Sequence, residues 1–272
     1  MMQSQKVSHK ISVVADGRGL VESPRWHEGQ FWFADWTAGE ILSINDRGVC
    51  EVRARAPAPP LCFDFSADGE LLIVSSAAGV LLKQKPGEGC TIFAELGPGM
   101  WNEIVVDGRG NAYVNGASLL LITPDGRVSL EADGLAFANG MTVLPDNRSL
   151  VVAESHGKRL TAFDISPDGH LSGRRVWAQL EGPPDGVCVD EEGAIWYADV
   201  PNSYCRRVKE GGDVLDEVCL DRGAFSCTLG GASRKTLMIT AAKWFGMQRM
   251  ADIAGTGQIL TLPVSIAGSG LP

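Results

Sequence analysis

The sequence predicts an all-β protein, a six-bladed β-propeller around a central channel, and three observations carry that prediction. The first is a hairpin. Val187, Val189, Ile195 and Tyr197 alternate with small or polar neighbours, as half-buried strands do, and Asp190-Glu191-Glu192-Gly193 supplies the turn between them. The second is repetition. An acidic, amide or thiol residue, a strand, a glycine turn and a second strand recur from Glu22, Cys62, Asn102, Asn139, Asp185 and Cys227. Those starts lie 40, 40, 37, 46 and 42 residues apart, a period that gives one four-stranded sheet per blade. The third is a further strand pair in each interval, such as Glu40-Ile41-Leu42-Ser43-Ile44 or Leu160-Thr161-Ala162-Phe163-Asp164-Ile165. Stacked β-sandwiches would share the short strands and glycine turns but not the regular spacing of a whole hairpin.

Taken in order, residues 1–10 are polar and are expected to be a loose tail. Ile11-Ser12-Val13-Val14-Ala15 reads as a strand that closes the ring against Leu260-Thr261-Leu262-Pro263-Val264. Six hairpin copies follow. The segment from Trp244 to Ala254 reads as irregular, and 266–272, rich in glycine and serine, as a second loose tail. The 272 residues are expected to form one domain, because a ring closes only with all its blades present.

Composition narrows the function. With 24 basic and 33 acidic residues the net charge is −9, which argues against nucleic acid, whose phosphates demand a basic footprint. No apolar run reaches membrane-spanning length, and the N-terminus lacks the apolar core of a signal peptide. The seven cysteines include no Cys-x-x-Cys pair, so neither a disulfide scaffold nor a zinc–thiolate site is indicated. A reducing cytoplasm is the expected setting, with no membrane partner. A closed ring protects its own strand edges, so a monomer or a weak homo-oligomer is expected. Nucleophile-elbow, dinucleotide and Walker motifs are absent.

In a propeller the first residues of the innermost strands converge near the channel at one face. Glu22, Cys62, Asn102, Asn139, Asp185 and Cys227 occupy those positions. Four of the six carry side-chain oxygens and two are carboxylates, a set that suits a hard divalent cation. The bland alternative is that Asn and Asp merely cap hairpin turns. His156 follows the second strand of the fourth copy, where it either sits in a surface turn or reaches the channel. Asp35 and Asp199 read as strand-end caps or groups supporting the site from behind, or else as channel-facing carboxylates. Trp36, Trp101 and Trp244 lie near strand ends, either as pocket walls or as blade filling.

With Glu22-Ser23-Pro24, Asn102 with Val106-Asp107, Asn139-Gly140 and Pro184-Asp185-Gly186 in this order and on this period, the chain resembles the gluconolactonase / senescence marker protein / luciferin-regenerating-enzyme family from about 11 to 268. The resemblance implies a six-bladed propeller with one catalytic divalent metal in the channel, opening lactones. It implies Glu22, Asn139 and Asp185 as metal ligands, Asn102 as a further polar group at the metal or substrate, and Asp185, or a water it shares with the ion, as the base. All-oxygen ligation points to calcium or zinc, and admits manganese or magnesium. Sugar-lactone members of the family often carry an Arg before the blade-three Asn and an Asp after it. This sequence reads Met100-Trp101-Asn102-Glu103. Loss of the Arg and gain of apolar surface imply a less hydroxylated lactone or ester, contacted by Met100, Trp101, Asn102, Glu103 and His156. Two other readings compete: a non-catalytic, calcium-stabilised propeller that binds or regulates a partner, and a metal-free synthase of the strictosidine-synthase kind, against which the two carboxylates speak.

Overall fold

The computed structural model describes residues 10–45, 47–56, 59–85 and 87–270, and they form six antiparallel four-stranded sheets. The first strand of the chain, β1 (Ser12–Arg18), belongs to the last blade. Blade one is β2 (Val21–His27), β3 (Gln30–Asp35), β4 (Glu40–Ile44) and β5 (Cys50–Arg55). Blade two is β6 (Leu61–Phe65), β7 (Leu71–Ser75), β8 (Val80–Gln84) and β9 (Cys90–Glu95). Blade three is β10 (Glu103–Val106), β11 (Ala112–Asn115), β12 (Ser118–Ile122) and β13 (Val128–Asp133). Blade four is β14 (Ala138–Val143), β15 (Ser149–Glu154), β16 (Arg159–Ile165) and β17 (Leu171–Gln179). Blade five is β18 (Val187–Val189), β19 (Ile195–Asp199), β20 (Tyr204–Val208) and β21 (Val214–Cys219). Blade six is β22 (Gly223–Gly230), β23 (Thr236–Ala242), β24 (Gly257–Pro263) and then β1.

The first strands touch all the way round, β2 against β6 and β22, β10 against β6 and β14, and β18 against β14 and β22. The predicted six-bladed propeller is therefore present, closed by β1 on β24 with Ser12 opposite Thr261 and Val13 opposite Leu260. Each hairpin turn is built as its sequence suggests. In the blade-five hairpin Asp190 Oδ1 accepts from the amides of Glu192 and Ala194 at 3.0 Å, and Gly193 takes φ 78.

One expectation changes. The blade-five hairpin is not half-buried: Val187, Cys188, Val189, Ile195, Trp196, Tyr197 and Ala198 are all buried. The period of two sends alternate side chains to opposite neighbours rather than to core and solvent. Val187 and Val189 pack with blade four, while Cys188 packs with blade six. In β6, Leu61 and Phe63 face blade one and Cys62 faces blade three. The apolar core is thus divided into six inter-blade layers, one at each junction.

The C-terminal segment is also better held than expected. Ala267 is buried, Gly268 bridges Asp190, and the Glu191 amide donates to Ala267 O at 2.8 Å. A side chain at 268 would meet Leu229 at 2.7 Å, so glycine is what lets this stretch lie against blade six. Residues 1–9 and 271–272 of the expected tails lie outside the described residues. The segment after β23 forms short 3-10 turns over Met247–Ile253, broken at Arg249. Among the described residues no helix is long and apolar enough to cross a membrane.

Candidate active site at the channel mouth

Two bulges and a close approach of three blades place the predicted residues. β2 shifts register between Glu22 and Arg25, with Ser23 left-handed at φ 49. β14 shifts between Ala138 and Met141, around Asn139. A bulge bends its strand and re-aims the side chain beside it. Asp185 stands just before β18, its amide donating to Ala198 O at 2.8 Å and its carbonyl accepting from the Gly140 amide at 3.1 Å. The Gly186 amide donates to Phe225 O at 2.8 Å. A Cβ at Gly140 would lie 2.6 Å from Asp185 O, and one at Gly186 would lie 1.9 Å from Ser226 Oγ. These two glycines are what allow blades four, five and six to meet at this point.

Glu22 and Asp185 face each other across the mouth. Burial, and then the charge of Asp185 followed by that of Glu103, pushes the Glu22 carboxyl well above the ordinary carboxylate range. Burial, then Glu103 and Asp199, does the same to Asp185, against a hydrogen bond from Asn139 that favours its charged form. Asn102 Nδ2 donates to Asn139 Oδ1 at 3.1 Å, and Asn139 Nδ2 also lies 3.4 Å from Ser155 Oγ. Ser155 in turn donates to Pro184 O at 2.7 Å, tying blade four to the residue before Asp185. Four of the six predicted positions (Glu22, Asn102, Asn139 and Asp185) therefore come together. Among the described residues no Lys, Arg or His pairs with Glu22 or Asp185.

The other two positions differ. Cys62 points into the junction of blades two and three, and burial followed by the Glu103 charge pushes its thiol well up. Cys227 is turned away from the mouth: its Sγ lies 3.8 Å from Cys188 Sγ in the layer between blades five and six. Strand alternation after the β22 bulge sends it there.

A second charged group escaped the sequence reading. Arg25, 8% exposed, donates to Glu103 Oε1 at 3.1 Å, to Ile104 O at 2.6 Å and to Pro24 O at 3.0 Å. Its Nε is 3.5 Å from Asp64 Oδ1, and Asp64 Oδ2 accepts from the Val106 amide at 2.9 Å. Burial raises the carboxyls of Glu103 and Asp64, and the Arg25 charge opposes it in both. The signal was present in the sequence as Asp64 and Glu103, each the one charge in an otherwise apolar first strand, with Arg25 three residues after Glu22 in β2. Glu103, expected to contact substrate, is buried, with Oε1 taken by Arg25 and the Ile104 amide. Beyond this group the channel opens on the opposite face into a cavity of about 560 Å³ lined by Arg25, His27, Asp64, Asp107, Thr228 and Arg234.

The expected rim residues divide as well. Trp101 does not line the mouth: it is 4% exposed, its indole donates to Gly97 O at 3.0 Å, and its ring fills the layer between blades two and three. Met100 is 74% exposed, beside a groove that includes Pro59, Pro60 and Ala78. His156 is exposed and stacks on Phe137 at 4.7 Å. Trp36 and Trp244 join Leu20, Val200, Phe225 and Ile253 in a separate apolar cluster. Asp35 and Asp199 act as strand-end caps, Asp35 accepting from the amides of Gly19, Thr37 and Ala38 and Asp199 from Asn202.

The sequence profile described as the SMP-30/Gluconolactonase/LRE-like region matches residues 20–243. The chain belongs to that family. Among its relatives, 6-deoxy-6-sulfogluconolactonase of Pseudomonas putida is 25% identical over 281 residues, covering 96% of each chain. Regucalcin of Xenopus laevis is 31% identical over 259 residues, covering 85% of each. The solved structure of a calcium-binding protein, regucalcin, from Agrobacterium tumefaciens strain C58 has a TM-score of 0.82 at 19% identity, with 97% of each chain covered. That likeness is one of fold. Among the described residues no three His, Cys, Asp or Glu side chains come together as a metal-holding group. The oxygen donors brought together at the mouth are the two carboxylates and the amides of Asn139 and Asn102.

Proposed function

We propose that this family member is a lactonase whose reaction takes place at Glu22, Asn139 and Asp185, with one divalent cation held between them. The observation that carries the reading is a half-buried carboxylate pair that has no cationic side chain as partner among the described residues. Two like charges taken out of water together are costly unless protonated or neutralised, and a hard cation with oxygen ligands answers both the charge and the donor type. Calcium and zinc come first, one structural neighbour being named as a calcium-binding protein, and manganese or magnesium would be accepted by the same donors.

Ligation by Asn139 requires its Oδ1 to turn toward the carboxylates. Its amide now offers nitrogen to Asp185 and oxygen to Asn102, so Asn102 would turn with it and accept instead of donating. When bound, the ion supplies Lewis-acid polarisation of a lactone carbonyl and charge for the oxyanion that follows. Asp185 takes the proton from the attacking water. A carboxylate fully engaged with a cation is a weaker base, and proton transfer through one intervening water serves equally. Asn102 orients the substrate or Asn139. Glu103, its charge balanced by Arg25, adds negative potential beneath the pair.

Substrate-side contacts fall to Asn102, Met100 and His156. None of them supplies the cationic donor that a heavily hydroxylated ring would use, so a γ- or δ-lactone with fewer hydroxyls than gluconolactone is preferred. None of the seven cysteines forms a disulfide, which fits a reducing cytoplasm, and the closed ring fits a monomer or a weak homo-oligomer. The competing reading is a calcium-stabilised binding propeller, which would use the same pair. A chelator-stripped and cation-restored hydrolysis assay on γ- and δ-lactones, with Asp185→Ala alongside, separates the two. Activity lost with chelator, restored by one cation and absent from Asp185→Ala is the expected result. Tight cation binding with no lactone opened would make the site structural.

A further inference from the structure

Phe137 is placed at a cost that the fold does not explain. It is the one aromatic residue with left-handed backbone among the described residues, at φ 62, and a non-glycine residue held there is strained. Its side chain is 53% exposed, so burial does not offset that strain. The segment carrying it is nevertheless pinned. The Ala136 amide donates to Glu154 Oε2 at 2.6 Å, and the amides of Ser155 and His156 donate to Phe137 O and Ala136 O at 3.0 Å. Glu154 is fully buried and also binds Arg159 at 2.8 and 2.9 Å, which holds its carboxyl down at about 2.

The position is informative. Phe137 lies two residues before Asn139, and His156 follows Ser155, which meets both Asn139 and Pro184. The rings of Phe137 and His156 lie 4.7 Å apart and 25° from parallel. Strain of this kind collects where a binding surface must be presented in one orientation, and a flat, exposed aromatic ring binds the apolar face of another ring.

We propose that Phe137, backed by His156, is the platform on which the lactone ring rests, and that it selects rings presenting an apolar face. The inference rests on the lactonase reading and adds a specificity residue to it. Phe137→Gly is the test, because glycine accepts φ 62 without strain. The variant is expected to melt no lower than the wild type, yet to show a KM for δ-valerolactone about three- to tenfold higher. The KM for gluconolactone, whose ring carries more hydroxyls, should move less, and kcat for both should stay within about twofold. Phe137→Tyr, which keeps the ring, should restore the wild-type KM. A wild type that opens lactones while Phe137→Gly keeps its KM overturns the platform alone. A wild type that opens none overturns the lactonase reading and the platform with it.

Discussion

Two pairs of carboxylates share the channel, one buried and neutralised, the other half-buried and without a cationic side chain among the described residues. Asp64 and Glu103 enclose Arg25, which reaches both and two backbone carbonyls besides. Glu22 and Asp185, a short way toward the mouth, have two amides and, among the described residues, no cationic side chain. Burial acts in the same direction on all four carboxyls, and the Arg25 charge opposes it only at Asp64 and Glu103. A neutralised group of this kind fixes geometry, since removing one member leaves an uncompensated charge. A pair left bare is a standing cost to the apo fold, and such costs gather where function needs them.

The largest expected effect is at the bare pair. Glu22→Gln with Asp185→Asn should lower kcat/KM by at least about a thousandfold, while chelated protein gains about 1–3 kcal/mol of stability in urea titrations. Both folded pKa values are raised above the unfolded ones, so the unfolded chain releases these protons first. In chelator, wild-type stability should therefore fall as pH rises from the unfolded carboxylate range up through the raised values. The double variant should lose that slope. Glu154 runs the other way. Held at about 2, it adds stability above its unfolded pKa that is lost as pH falls through about 2, so acid unfolding should persist in the double variant. A pH slope that survives in the double variant would break the contrast between the two carboxylate pairs.

At the neutralised pair the signs reverse. Arg25→Met should cost about 3–5 kcal/mol, because it strands Asp64 and Glu103. Adding Asp64→Asn and Glu103→Gln should recover much of that loss, since an apolar or neutral replacement of a whole buried ionic group is often tolerated. Measured by urea unfolding, a single Arg25→Met that is neutral would mean that the two pairs are not differently compensated.

The same contrast explains what could be read in advance. Turn chemistry and a forty-residue spacing are local signals, so the six blades and the mouth positions Glu22, Asn102, Asn139 and Asp185 were legible. Charge inside a strand is ambiguous by itself, because a period of two says which residues share a side and not what lies on that side. Arg25 and Asp64 read as ordinary strand positions until blades one, two and three were in contact. Trp101, adjacent in sequence to Asn102, looked like a wall of the mouth. The opposite side of its own strand entry is the layer between blades two and three, and its indole goes there. Cys227 was misplaced for the same reason, with a bulge shifting the alternation.

The smallest effect tests whether the bare pair depends on main-chain approach as well as on charge. Gly140 has ordinary backbone and no side chain, and its Cβ position lies 2.6 Å from Asp185 O, 2.7 Å from Gly186 Cα and 2.7 Å from Val187 N. All three are backbone atoms, so an added methyl can be accommodated only by parting blades four and five. Gly140→Ala should cost about 1–3 kcal/mol and loosen the Gly140 N–H to Asp185 O bond, now 3.1 Å. Because that bond sets where Asp185 stands relative to Asn139, cation affinity should drop further than the stability loss alone accounts for. The corresponding change at Gly193, a hairpin glycine remote from other atoms but held at φ 78, should lower stability and leave cation affinity untouched. Isothermal titration with calcium on both variants decides it: equal affinities would mean that the carboxylate pair is positioned by its own side chains and not by the junction of the blades.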